Sequence, residues 1–344
     1  MKTALYAVLA TAALTVACSP PKAAEAPADK TEAPKGVGTL ARLNPAFDAI
    51  APKDAYIEKL AGGFQFIEGP IWRPDGPSLW FSDVQGNKIR QYTPADGSVK
   101  VILENSGGTG GAPGGFIGSN GEIADKDGAV LVCRHTARDI IRIAKDMKIT
   151  PVVEKFQGKR LNSPNDLVYK SDGSLYFTDP PYGLAKQDED PAKALKFNGV
   201  FRLKGGKVSA IVRDLTRPNG IAFSPDEKTL YVANSDEKHK VWMAYDVQPD
   251  GTVKNGRVFF DVTAEKEDGL PDGMKVDANG NVYGSGPGGV WVFSSDGKHI
   301  GTIKPPETPA NCNWGDDGKS LYITARTSLY RIKLAASGPK TLYQ

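Results

Sequence analysis

Residues 162–183 read NSPNDLVYKSDGSLYFTDPPYG, and this stretch decides the fold. Polar residues (Asn162, Asn165, Asp166) come first. A short apolar run follows, then Asp-Gly, then the aromatic run LYFTD. Two apolar runs joined through Asp-Gly spell a β-hairpin. The phrase returns along the chain. It appears as EGPIWRPDGPSLWFSD from Glu68, SNGEIADKDGAVLVCR from Ser119 and PNDLVYKSDGSLYFTD from Pro164. It appears again as PNGIAFSPDEKTLYVANS from Pro218, PDGMKVDANGNVYGSG from Pro271 and PANCNWGDDGKSLYITA from Pro309. Most copies carry a third strand-like run, such as IIRIA around Ile141 or GVWVF around Trp291, and often a fourth. Four strands repeated every ~40–55 residues are the mark of a β-propeller blade. The expectation is an all-β, six-bladed β-propeller. Two β-sandwich domains would fit so regular a period poorly. Closing the ring requires one blade shared between the chain ends, and the segment around Tyr56–Leu60 is expected to supply the outer strand of the last blade.

The rest of the chain frames this core. Its 344 residues are 40% hydrophobic and 24% charged, enough apolar material for a packed interior. The net charge of +3, from 43 basic and 40 acidic residues, is too balanced for a nucleic-acid partner. At the N-terminus, Lys2 precedes the apolar run ALYAVLATAALTVA, too short to span a bilayer. Residues 1–17 read as a signal peptide. The sequence LTVAC resembles a bacterial lipoprotein signal that would leave Cys18 lipidated, although Thr15 stands where that pattern favours Leu. Simple secretion is the alternative. Either way the chain is expected to be exported, periplasmic or envelope-anchored, with the membrane touched only through the lipid. Residues 18–42, rich in Pro, Ala and charge, read as a disordered tether, and 43–344 as the propeller. Cys133 and Cys312 fall in different repeats and are expected as buried free thiols.

In a propeller the first strand of every blade lines the central channel. The polar residue opening each repeat therefore points to one mouth. These residues are Glu68, Asn120, Asn165, Asn219, Asp272 and either Asn311 or Asn313. Carboxylate and amide oxygens, with no Cys or His cluster, suit a hard cation, Ca²⁺ first. Glu68 and Asp272 would neutralise a divalent ion. Each Asn or Asp taken singly also fits the ordinary role of a turn cap.

The phrases EGPIW, NSPNDLVY with YFTDPPYG, RPNGIAFSPDEKTLYVAN and LPDGMKVDANGNVY resemble the SMP-30/gluconolactonase/luciferin-regenerating-enzyme-like family, over about residues 60–335. That resemblance implies one divalent cation at the channel mouth. It implies Glu68, Asn219 and Asp272 as ligands, with Asn165 beside the metal or bound to it. Arg160, Asn162 and His135 match substrate-facing positions, while Asn120 and Asn313 follow from the repeat as further mouth residues. Ca²⁺ comes first, with Zn²⁺, Mg²⁺ or Mn²⁺ as alternatives. The implied activity is metal-dependent hydrolysis of a small sugar lactone such as gluconolactone, a carboxylic ester. The catalytic residues would be Asp272 and Glu68, Asp272 as general base or as ligand alone. The alternatives are an esterase, aryl-lactonase or phosphotriesterase on the same site, or a non-catalytic binding propeller. Other machinery is missing from the sequence: there is no Gly-x-Ser-x-Gly elbow and no phosphate loop. Of three histidines, His239 and His299 read as surface residues. The Trp and Tyr after each hairpin read as blade core. GGTGGAPGG (107–115) reads as a loop overhanging the mouth.

Overall fold

Five repeats fold into four-stranded antiparallel meanders and the sixth supplies three strands of its blade, because each Asp-Gly-type turn returns the chain onto the strand before it. The computed structural model describes residues 36–73, 75–109 and 116–339, together with Met1. The signal segment, Cys18 and the tether as far as residue 35 lie outside the described residues. So do Gly110–Gly115 of the glycine-rich loop.

The six meanders form the expected six-bladed β-propeller. The hairpin quoted above is Leu167–Tyr169 with Leu175–Asp179. It continues through Gly199–Lys204 to Lys207–Val212, forming the third blade. The six inner strands follow one another around the channel. They are Ile67–Arg73, Ser119–Ala124, Leu167–Tyr169, Pro218–Phe223, Met274–Val276 and Pro309–Gly315, and the last returns to the first. The closure is as read from the sequence. Ile57–Gly62 pairs with Ser328–Lys333 as the outer strand of the sixth blade, in the register Ile57↔Ile332 and Gly62↔Ser328.

The boundary expected between residues 42 and 43 falls earlier. Thr39–Arg42 adds a fifth strand to the outer edge of the fifth blade, pairing with His299–Lys304 from Thr39↔Lys304 to Arg42↔Gly301. Val37 also bridges Ile57. Only the glycine-punctuated GVGTLAR is available there, without a long apolar run, so composition reads it as linker. An exposed strand edge recruits it through backbone hydrogen bonds, which composition does not record. A single-turn helix, Ala46–Ile50, then seats Phe47 on Gly301. A Cβ at Gly301 would lie 2.4 Å from the Phe47 ring. Arg42 ties this segment down by donating from Nη1 to Asp48 Oδ1 (2.7 Å) and from Nη2 to the Pro52 carbonyl (2.8 Å).

The core lies between blades, as the aromatic pattern suggested. Tyr176, Tyr283 and Tyr322, one from each of three second strands, are fully buried. Each meets an inner-strand aromatic of a neighbouring blade: Phe223 at 4.9 Å, Trp314 at 5.1 Å and Trp72 at 5.8 Å between ring centroids. Cys133 and Cys312 are buried free thiols. One surface reading is corrected: His299 is half-buried, its ring stacked on Trp291 at 4.0 Å. Strand alternation turns it inward against the fifth blade's aromatic cluster.

Phe47→Ala removes a fully buried ring from the fifth-blade edge. A loss of about 3–5 kcal/mol in urea unfolding is expected, with the channel mouth intact. A loss below about 1 kcal/mol would show the added edge to be dispensable.

Candidate active site

At the entrance of four inner strands the site residue is followed directly by glycine: Glu68-Gly69, Asn120-Gly121, Asn219-Gly220 and Asp272-Gly273. The reason is contact between blades. A Cβ at Gly69 would stand 2.1 Å from the Asn120 carbonyl oxygen, and one at Gly121 2.6 Å from that of Asn165. At Gly220 it would stand 2.3 Å from the Asp272 carbonyl oxygen, and at Gly273 1.9 Å from the side chain of Asn311. No side chain fits at these positions, so adjacent inner strands close to backbone contact there. The polar side chains one residue earlier are thereby brought together.

They form a directed chain of hydrogen bonds. Asn120 Nδ2 donates to Asn165 Oδ1 (2.8 Å), and Asn165 Nδ2 to Asn219 Oδ1 (2.6 Å). Asn219 Nδ2 donates to Ser235 Oγ (2.9 Å), whose hydroxyl donates to the Pro271 carbonyl next to Asp272. The oxygens of Asn165 and Asn219 each accept one bond and keep a second lone pair, and that of Asn120 accepts none. In the blade adjoining the start of this arc stands Glu68, with Oε2 accepting from the Gly69 backbone (2.9 Å). Asp272 Oδ1 is buried without any partner, as is Asn120 Oδ1.

Electrostatically the cluster is under-compensated. Burial, then the Asp166 charge, push the Glu68 carboxyl up to about 7. Burial, then Glu68 and Asp166, hold Asp272 well above the usual carboxylate range. Two carboxylates with raised proton affinity, an orphaned carboxylate oxygen and converging amide oxygens together make a donor set suited to a hard divalent cation. No group of three His, Cys, Asp or Glu side chains arranged for a metal occurs among the described residues. The donor set here is half amide, and it was legible as a recurring Asn rather than as an acidic motif. Glu68, Asn165, Asn219 and Asp272 fit such an ion.

These groups sit at the base of a cavity of about 430 Å³ that opens at this mouth. Phe66, Phe116, Tyr182 and Leu270 make one apolar wall. Phe116 bridges Phe66 (5.4 Å) and Tyr182 (6.3 Å, edge-on). Arg217 faces the cavity from the other side, fixed by Asp188 (2.6 Å) and the Thr216 carbonyl (2.7 Å). His135 lines the same cavity and is fully buried. Neither ring nitrogen forms a well-aligned hydrogen bond, although the Asn165 side chain and Phe116 backbone lie close. Burial pushes its pKa down to about 4, so the imidazole is neutral at neutral pH.

The structure gathers Glu68, Asn120, His135, Asn165, Asn219 and Asp272 at one cavity. It places three other expected residues elsewhere. Asn313 borders a cavity at the opposite end of the channel, with Nδ2 donating to the Pro70 carbonyl (2.8 Å). It lies two residues past Asn311, and a strand advances ~3.3 Å per residue, so it has moved down the channel. Asn162 is a loop staple: its Nδ2 donates to the carbonyls of Asp179 (3.0 Å) and Phe197 (3.0 Å). Arg160 spends Nη2 on the Ala137 carbonyl (2.6 Å). Neither lines the mouth cavity. Both lie before the strand-opening Asn165, where chain proximity does not translate into proximity to the axis. Sequence reasoning missed Phe66, Phe116, Tyr182, Arg217 and Ser235. Arg217 and Tyr182 had a signal, since each flanks a recurring phrase (RPNGIA, DPPYG). The phenylalanines had none, because they sit in inter-blade loops.

A family model described as the SMP-30/Gluconolactonase/LRE-like region matches residues 66–327. A gluconolactonase of Zymomonas mobilis is 38% identical over 313 residues, covering 88% of this chain and 88% of its own. A solved gluconolactonase structure from Xanthomonas campestris aligns at a TM-score of 0.75 and 32% identity, over 89% of this chain and 99% of that one. A calcium-binding protein, regucalcin, from Agrobacterium tumefaciens shares the fold at a TM-score of 0.65 and 19% identity, over 83% of this chain and 96% of that one.

Beside the mouth, Glu122 is buried between the first two blades. Its Oε1 accepts from the Ser82 hydroxyl (2.8 Å), while Oε2 has no partner. Burial raises its pKa to about 8 from 4.5. The folded state therefore keeps a proton that the unfolded chain releases. Stability must fall as pH rises between those two values, by up to about 1.4 kcal/mol per pH unit. Glu122→Gln removes this slope. The melting temperature of the variant should match wild type near pH 4 and exceed it by pH 8. Parallel profiles for the two proteins would contradict the assignment.

Proposed function

This chain belongs to the SMP-30/gluconolactonase/LRE-like family, and from that premise we propose that its mouth cavity hydrolyses a sugar lactone with one divalent cation, Ca²⁺ first. The protein is a hydrolase acting on carboxylic ester bonds, as its lactonase relatives indicate. The observation that carries the finer reading is the convergence of Asp272 and Glu68 with the amides of Asn165 and Asn219 beneath a cavity of about 430 Å³. That volume suits a single sugar ring with its solvation.

Glu68, Asn165, Asn219 and Asp272 would hold the cation. When bound, such an ion supplies Lewis-acid polarisation of the lactone carbonyl and acidifies water. The chain's own residues account for the remainder. The unpartnered Oδ1 of Asp272 accepts the proton of the attacking water. Water oxygen bonds to the carbonyl carbon, the ring C–O bond breaks, and the ring oxygen takes the proton held on Asp272 and leaves as the hydroxyl of the open-chain acid. Phe66 and Phe116 cover the apolar face of the ring, while Arg217 and Asn120 hydrogen-bond its hydroxyls. His135, neutral and buried at the cavity wall, serves as a hydrogen-bonding contact for substrate.

The test is proton release from glucono-1,5-lactone above the spontaneous rate. EDTA should abolish it and Ca²⁺ restore it. Asp272→Ala should lower kcat at least about a hundredfold with the fold unchanged by circular dichroism. Acceleration that survives EDTA, or unaltered turnover in Asp272→Ala, would sink the assignment. Glu68→Gln should weaken Ca²⁺ binding in parallel.

We also propose that the chain is exported and carries lipid on Cys18. Labelling with a fatty-acid analogue in a bacterial host should mark the wild type and spare Cys18→Ser. Equal labelling of both would exclude that anchor.

A further inference from the structure

The inner strands repeat not only at the mouth residue but three positions further on. There they present Ile71, Ile123, Val168, Ala222, Lys275 and Trp314, and all six border the cavity at the opposite end of the channel. Five are apolar and one is a lysine. A cationic side chain in an otherwise apolar ring is costly unless something compensates it. The Lys275 ammonium is turned back up the channel, away from that cavity. It donates to the Met274 carbonyl (3.0 Å) and stands 3.9 Å from Asp166 Oδ2.

Asp166 is itself an exception. It follows Asn165 where four other blades have glycine after the site residue, so it adds a carboxylate just below the mouth. It is 2% exposed. Its Oδ1 accepts from the Leu167 backbone (2.8 Å), and its Oδ2 has no hydrogen-bond donor at all. Asn311 lies across Gly273, with its side chain close to both Asp166 and Glu68. The groups around the ammonium are therefore Asp166, Glu68 and, beyond them, Asp272, with Asn311 between. Two buried carboxylates, Asp166 and Glu68, interact with the one ammonium.

We propose that Lys275 is the resident counter-charge of the channel: a positioning residue that holds the carboxylate layer beneath the mouth together in the metal-free protein and limits how tightly the site above binds a divalent cation. The inference rests on the cation site proposed for Glu68, Asn165, Asn219 and Asp272. Two exceptions to the repeat, Asp166 in the third blade and Lys275 in the fifth, are explained by one contact between them. Neither residue touches the mouth cavity, so the pair acts on the site only through its field and through Asn311.

The test reads cation binding and stability, not turnover. Ca²⁺ is titrated calorimetrically into EDTA-treated, dialysed protein, and melting is followed with and without saturating Ca²⁺. Lys275→Met should bind Ca²⁺ at least about tenfold more tightly than wild type, the effect of removing a like charge nearby in a partly screened interior. Its metal-free form should melt lower than wild type, with Ca²⁺ closing most of that gap. Lys275→Arg, which keeps the charge, should stay within about threefold of wild-type affinity. The double variant Asp166→Asn/Lys275→Met is neutral at both positions and should fold without metal. It therefore remains informative if the single Met variant does not fold. Against Asp166→Asn alone, the lysine substitution should then tighten Ca²⁺ binding by a smaller factor than it does in wild type. Equal Ca²⁺ affinity in Lys275→Met and wild type, with equal metal-free melting, would overturn the proposal. Lactone turnover measured on the same wild-type sample separates the two ideas. Tight Ca²⁺ binding without hydrolysis would remove the lactonase reading and leave Lys275 to be judged by affinity. A wild type that binds no cation would overturn the limit placed on affinity together with the metal site.

Discussion

Around one end of the channel, the adjoining blade occupies the space where a side chain would have to begin at four inner-strand positions, with backbone at three and the Asn311 side chain at the fourth. Four glycines make that approach possible: Gly69, Gly121, Gly220 and Gly273. Each belongs to an inner strand, and each directly follows a residue that points into the mouth. Without this contact the blades would stand further apart, and the amides of Asn120, Asn165 and Asn219 would not reach one another. The chain from Asn120 to the Pro271 carbonyl depends on it, as does the position of Asn311 across Gly273.

From that geometry the electrostatics follow. Close approach excludes water, so carboxylates brought to the axis are desolvated. Burial raises the proton affinity of Glu68, Asp166 and Asp272; the Asp166 charge adds to it for Glu68, and the Glu68 and Asp166 charges add to it for Asp272, while Lys275 opposes it for Asp166. A cluster of this kind needs positive charge. Lys275 provides one at the waist, at 3.9 Å from Asp166, and the proposed cation would provide the other at the mouth. At the base of the cavity, beside the apolar wall of Phe66, Phe116 and Leu270, the Glu68 carboxylate is buried. Charge–charge interactions there are correspondingly strong.

Much of this was legible in the chain. The Asp-Gly hairpins, the period and the second-strand tyrosines gave six blades, because turn chemistry and strand alternation are local properties. The mouth residues were legible because a propeller converts a recurring position into a ring. Asn313 shows the limit of that logic: two residues along the strand carried it to the other end of the channel. Asn162 and Arg160 show another. They precede a site residue in sequence, yet their side chains are consumed in holding a loop. The glycine after each site residue was also in plain view, as EGP, NGE, NGI and DGM. Its meaning was not, since it concerns a carbonyl some fifty residues away.

The sequence alone determined the architecture, the closure through the segment around Tyr56–Leu60 and the carboxylate and amide character of the residues that open the repeats. Short-range rules suffice for those, because a turn, a strand and a repeat are each encoded within a few dozen residues. The tertiary structure decided which polar residues share a cavity and which serve loops. It decided that GVGTLAR completes the fifth blade rather than trailing from it. It also decided that Asp166 and Lys275, a hundred residues apart, answer each other. These depend on which groups lose water together, and that is fixed only when six separate strands meet around one axis.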